Sequence, residues 1–345
     1  MAAAMTSIGR LAVALAVLAG TAVAAPAGET GTTVNIARED YRGWPETVRI
    51  GNGLIEARVV TAVGPRIIDL RGAGGENLFH VRDAEAGGHG EAEWMFRGGW
   101  RLWIAPERRA TTYVPDNNPC QVEILDGRAV RVTGPPQAAA GIQKIVEIEP
   151  AAGVPCLHVR SRIRNIGREP LTYAAWSLSV MRPGGRAVVP LDVGPLDAFD
   201  ATRKLILWSY TEMADPRYRF GDRLVEIDQS RVAPAAAAQT GRRDDESKIG
   251  VDSAQGWAAY QLGRTLYVKR FPYDPAGRYP DGGATIEIYS SAEFLEVENL
   301  SPLTAIPPGG ELVYDEDWWV FDDVPPTTEA LLARVESTKD TKNCE

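Results

Sequence analysis

Glu296 and Glu298 stand two residues apart in "FLEVENLSP", residues 294–302, inside an otherwise apolar run. At the two-residue period of a strand they share one face, while Leu295 and Val297 take the other. Paired acids on a partly buried face repel one another, which raises the pKa of at least one and suits it to general-base work, or to gripping a cation such as calcium. Two neighbouring stretches extend that face. "ATIEIYSS" sets Glu287 and Tyr289 against Ile286 and Ile288, and "RTLYVKRF" sets Tyr267, Lys269 and Phe271 against Leu266, Val268 and Arg270. Short connections predict an antiparallel meander of the three, so that carboxylates, a lysine and aromatic rings gather on one sheet face. Such a mixture suits a sugar, whose C–H faces stack on rings and whose hydroxyls pair with charged groups. Alternating polar residues also mark an ordinary solvated sheet face.

"EWMFRGGWRLWIAPERR" places Trp94, Trp100, Trp103 and Arg101 around Gly98 and Gly99, either as a loop that carries aromatic platforms and a guanidinium to the rim of a pocket or as a core plug. In "GPRIIDL", Arg66 follows a Gly-Pro turn and opens a strand, which makes it a candidate pocket residue. Nucleophilic chemistry finds little to work with: G-x-S-x-G does not occur, and Cys156 and His158 on "CLHV" have no orienting partner. His80 and His89 are the other histidines, the latter in a glycine-flanked loop. Cys120 and Cys156 either pair or stand as separate buried thiols, Cys344 is next to last in a polar tail, and no spacing fits a zinc site. No cofactor is expected; a calcium ion at the paired acids is compatible with their chemistry but not indicated by it.

The elements that must hold these residues are strands. Short β-branched and apolar runs such as "TVRIGNGLIEARVV", "GIQKIVEIEP", "CLHVRSRIRNIG" and "LTYAAWSLSVM" recur between Gly, Pro, Asn and Asp clusters, several with strict alternation. Helical periodicity is confined to "TTEALLARVEST", where Thr328 is placed to cap and Leu331, Leu332 and Val335 form a stripe. The pattern predicts a large antiparallel all-β protein with a short C-terminal helix. Residues 82–92 and 234–247 read as exposed, flexible loops. With 345 residues, 44% of them hydrophobic, the chain can bury a sizeable core, and a net charge of −9 without a basic cluster argues against nucleic acid as a partner. Residues 1–24 carry a nine-residue apolar stretch from Leu11 to Ala19 and end on Ala22-Val23-Ala24, the form of a cleavable secretory signal, so the mature protein is expected in the periplasm or outside the cell, with no membrane insertion after cleavage. The division expected is a signal peptide at 1–24, a single β-sandwich domain at 30–325, and a helix with a disordered tail at 326–345.

The succession "YRGWPETVRIGNGLIEARVVTAVGPRIIDLRGAGGENLF", "RGGWRLWIAPE", "AAWSLSVMRPGG", "KIG", "RYPDGG" and "FLEVENLSPLTAIPPGGELVYDEDWWVF" resembles the DUF4380 family, placed in the galactose mutarotase-like (aldose 1-epimerase) superfamily, over nearly all of residues 41–324. The resemblance implies a β-supersandwich of large antiparallel sheets whose concave surface holds a carbohydrate. It puts the mutarotase base, which takes the anomeric proton, on Glu296 or Glu298. Where that superfamily has a histidine acid, this chain has Trp176 and Ser177, neither able to make that proton transfer at neutral pH. The expected function is therefore carbohydrate binding, with Arg66, Trp100, Lys248, Lys269 and Tyr279 lining the cleft beside Glu296 and Glu298. Lys248 and Tyr279 enter through the family-like "KIG" and "RYPDGG". An active epimerase-like isomerase or a lyase, and a structural envelope protein with a vestigial cleft, are the alternatives.

Overall fold

The computed structural model describes residues 33–195, 197, 199–232 and 245–339, and these form one compact unit. The expected signal peptide at 1–24, most of the 234–247 segment and the terminal residues with Cys344 lie outside the described residues. In chain order the first strands are β1 (Asn35–Tyr41), β2 (Trp44–Gly51), β3 (Ile55–Val60), β4 (Arg66–Gly72), β5 (Trp100–Ala105), β6 (Gln121–Leu125) and β7 (Ala129–Thr133). The middle set is β8 (Ile142–Pro150), β9 (Cys156–Asn165), β10 (Leu171–Met181), β11 (Arg186–Pro190), β12 (Lys204–Leu207), β13 (Tyr218–Phe220) and β14 (Leu224–Asp228). The last are β15 (Ser247–Asp252), β16 (Trp257–Leu262), β17 (Thr265–Arg270), β18 (Ile286–Ser290), β19 (Leu295–Leu300), β20 (Thr304–Ile306) and β21 (Glu311–Phe321). A short helix α1 (Arg109–Thr112) follows β5, and α2 (Thr328–Ser337) closes the described chain.

Two antiparallel sheets result. The first runs β1-β2-β3-β4-β5-β10-β19-β18-β15-β12, with β20 alongside β10; the second runs β13-β14-β11-β16-β17-β21-β9-β8-β7-β6. Alternation explains their stacking: Ile67, Leu102, Val297 and Ile288 from the first sheet meet Val146, Val159, Tyr267 and Trp318 from the second in one buried core. The face assignments for β18 and β19 hold, since Ile286, Ile288, Leu295 and Val297 all enter that core. The three-strand meander does not form. β17 lies in the second sheet between β16 and β21, because the connection through residues 271–285 crosses the sandwich instead of turning tightly.

On the outer side of the second sheet, Leu331 and Val335 of α2 pack with Leu266, Val268 and Trp319, while Leu332 stays more than a third exposed. Thr327, one residue before the expected cap, accepts the backbone N–H of Ala330; Thr328 donates its hydroxyl to Glu226 instead. The 82–92 segment is tied down: buried Arg97 pairs with Glu91, donates to the Glu85 carbonyl oxygen and to Asn117, and its own N–H reaches Glu85 at 2.7 Å. Cys120 carries a free thiol, so no disulfide joins it to Cys156.

Candidate functional site

Five neighbouring strands of the first sheet, β5-β10-β19-β18-β15, turn their outward side chains into a cleft of about 750 Å³. Register sets what meets there. Arg101, Leu178, Glu298 and Glu287 lie opposite one another across β5, β10, β19 and β18, and Val180, Glu296, Tyr289 and Lys248 form the next row. Long side chains then bond along the diagonals between the rows. Arg101 Nη2 donates to Glu296 Oε1 at 2.9 Å, and Lys248 Nζ sits 2.9 Å from Glu298 Oε2 and 2.6 Å from Glu287 Oε2. The Trp176 indole N–H donates to the same Glu298 oxygen at 2.8 Å.

Both cations are boxed in by rings. Arg101 lies 4.2 Å from the centroid of Trp103, with Phe96 and Trp94 beyond, and Lys248 Nζ lies 4.7 Å from Trp176 and 4.8 Å from Trp208. Trp208 can lie over β15 because Gly250 has no side chain; a Cβ there would sit 3.3 Å from the indole. Gly98 and Gly99, at φ +87° and +71°, make the turn into β5 where a Cβ would strike the carbonyl oxygens of His80 and Ile67.

Two bases and three acids share this floor, so the charges do not balance. Burial pushes the Glu287 carboxyl up to about 8, against the pull of Lys248, so it keeps its proton at neutral pH. Burial also raises Glu296, with Arg101 opposing. For Lys248, burial disfavours the charge, but Glu287 and Glu298 outweigh it and hold the ammonium well above the usual lysine pKa. The ammonium sits between the Glu287 and Glu298 side chains. Among the described residues no group of three or more His, Cys, Asp or Glu is arranged to hold a metal ion.

Among solved structures, the chain is similar to a putative aldose 1-epimerase from Klebsiella pneumoniae, at 11% identity and a TM-score of 0.54 over 89% of this chain and 88% of that one. It is also similar to a galactose mutarotase-like protein from Clostridium acetobutylicum, at 11% identity and a TM-score of 0.51 over 84% of this chain and 99% of that one. The fold is galactose mutarotase-like. Neither a family model nor a curated protein matches the sequence.

Within this mutarotase-like frame the expected residues separate into three groups. Glu296 and Lys248 line the cleft, while Glu298, fully buried, stands behind Lys248 and Trp176. Arg66, Trp100 and Lys269 lie beneath the surface instead. Arg66 donates from Nη1 to the Phe96 and Gly98 carbonyl oxygens and pairs with Asp116 at 3.3 Å, which anchors the segment bearing Trp94 and Phe96. Trp100 and Lys269 point between the sheets, because odd-even alternation turns Arg101 outward and Trp100 inward, and because β17 belongs to the second sheet. There Trp100 Nε1 and Lys269 Nζ both reach Ser177 Oγ, which donates to Glu316 at 2.8 Å; Asn299 Nδ2 donates to Glu316 from β19. Tyr279 stacks on Tyr273 at 5.7 Å and accepts the Asp274 N–H, away from the cleft lining.

None of the three histidines lines the cleft. His80 stacks against Phe294 with its Nε2 at 3.2 Å from Glu293, His158 bonds Asp317 on the second sheet, and His89 is exposed. Trp208, Tyr210 and Phe294 line the cleft without having been singled out as ligand-binding residues. For Phe294 and Tyr289 the strand period already indicated the right face. For Trp208 and Tyr210, past the end of β12, only the "LWSY" aromatic density was visible in sequence.

Proposed function

We propose that this protein binds a carbohydrate in the cleft of the first sheet, as a secreted or periplasmic member of the galactose mutarotase-like superfamily, in the branch indicated by the DUF4380 resemblance. The observation that carries the reading is the cleft itself: half-buried Trp94, Phe96, Tyr113, Trp208, Tyr210 and Tyr289 stand over a floor where Arg101, Glu296 and Lys248 are held by ion pairs. Rings of this kind take the C–H faces of a pyranose, and fixed charges take its hydroxyls as donors and acceptors. The apolar stretch and the Ala22-Val23-Ala24 ending within residues 1–24 support export.

Binding without turnover fits the chemistry better than catalysis does. Of the two acids Glu296 is the base candidate, because it faces the cleft, and its ion pair with Arg101 suits it to accept a hydroxyl hydrogen. Among the described residues no histidine lines the cleft to act as the complementary acid. Lys248 is held charged by ionised Glu298, protonated Glu287 is fully buried beside it, and Trp176 stands where the resemblance places a histidine. Glu298 serves to orient Lys248 and Trp176.

Calorimetry and NMR anomer exchange on one panel of aldoses test this together. Saturable binding with exchange no faster than in buffer is the expected result, and Glu296→Gln weakens that binding. Exchange accelerated by the wild type and abolished by Glu296→Gln assigns an epimerase-like enzyme instead. A protein inert in both assays is the structural alternative, and the carbohydrate reading is then withdrawn.

A further inference from the structure

We infer that the cleft takes a short neutral oligosaccharide, across two separate subsites, in preference to a single sugar; this rests on the carbohydrate-binding reading and specifies its ligand. The volume sets the scale. A cleft of about 750 Å³ lies in the upper part of the roughly 300–1,000 Å³ range of sites that enclose drug-sized ligands, more than one sugar ring needs.

The lining repeats the same device at two places. On the β5 side Arg101 is paired with Glu296 and packed against Trp103 and Trp94; on the β15 side Lys248 is paired with Glu298 and Glu287 and packed between Trp176 and Trp208. The two cations come from opposite ends of this five-strand span, β5 and β15, and reach Glu296 and Glu298, two residues and so about 7 Å apart along β19. Rings bridge the gap. Trp103, Trp94, Phe96, Phe294 and Tyr289 form an unbroken run whose consecutive centroids are 5.2, 6.5, 4.6 and 5.7 Å apart. A track of that kind offers successive pyranose rings a continuous apolar wall while each end supplies its own fixed charges.

Neutrality follows from the groups that reach the cleft. Arg101, Arg109 and Lys248 are matched by Glu107, Glu246 and Glu296, and Glu298 directly behind Lys248 adds a further acid, so the cleft holds no positive excess to draw in an acidic chain.

The test is a chain-length series titrated into the full mature protein by calorimetry: glucose, cellobiose and cellotriose; galactose and its β-linked di- and trisaccharide; mannose and its β-linked di- and trisaccharide; and galacturonic acid with its di- and trimer. For at least one neutral series, affinity rises about tenfold from one sugar to two, the order of one further ring stacked and hydrogen-bonded. Trp208→Ala, at the half-buried rim of the second subsite, reduces that ratio to about twofold. Equal affinity for one sugar and two overturns the two-subsite inference while leaving carbohydrate binding intact. A galacturonate series that outbinds the neutral ones overturns the choice of ligand, and no binding to any probe removes both readings. The wild-type series stands whether or not the tryptophan variant folds.

Discussion

Glu287→Gln should make the protein more stable at alkaline pH, although it replaces an acid that lies 2.6 Å from Lys248. The carboxyl is fully buried and raised from 4.5 to about 8, chiefly by burial. Below pH 4.5 the folded and unfolded chains both carry its proton. Between 4.5 and about 8 only the folded chain does, so stability falls by about 1.4 kcal/mol per pH unit, and above 8 the loss is complete. The whole window amounts to about 4–5 kcal/mol. Glutamine keeps the shape and cannot ionise, and Lys248 retains Glu298 as its counter-charge at 2.9 Å. Urea unfolding followed by tryptophan fluorescence, run from about pH 5 to pH 8.5 on both proteins, reads the difference directly. The two should nearly coincide at the acid end, and the variant should lead by about 3–5 kcal/mol at the alkaline end, or roughly 6–10 °C in Tm for a domain of this size. Parallel pH profiles, or a variant destabilised at high pH, would show that Glu287 is ionised in the native protein and that the two-base, three-acid account of the floor is wrong.

Arg66→Met should cost about 3–5 kcal/mol, because it leaves Asp116 buried without its counter-charge and frees the Phe96 and Gly98 carbonyl oxygens. Sugar affinity should fall with it as Trp94 and Phe96 lose their fixed position; unchanged affinity would show that their backbone holds itself. The half-buried Cys120 thiol, pushed up to about 12 by desolvation, should react slowly with iodoacetamide at pH 8 in the folded protein and faster once the chain is unfolded in urea, and equal rates in the two states would contradict that raised pKa.

Strand alternation and turn punctuation were enough to determine the all-β class, the short terminal helix and the faces of β18 and β19, because period-two patterning is a local property of the chain. The same alternation placed Glu296 and Glu298 on one side and Leu295 and Val297 on the other, as the core confirms. It could not say which of the two acids meets solvent. That depends on Lys248 and Trp176, which arrive from other strands and cover Glu298 while leaving Glu296 on the cleft wall.

Sheet membership was likewise a tertiary decision. Lys269 has the alternation of a site residue, yet the crossing connection before β18 carries its strand into the opposite sheet, and its ammonium ends at Ser177 and Glu316 between the layers. Trp100 and Arg101 show the limit most simply: both were visible as candidates, and a one-residue difference in phase sends one into the core and the other to the cleft. Local pattern fixes which neighbours point together, because that is geometry within a strand. Only the order and register of strands far apart in sequence decide which of those faces close over a cavity and which charges are left there to find one another.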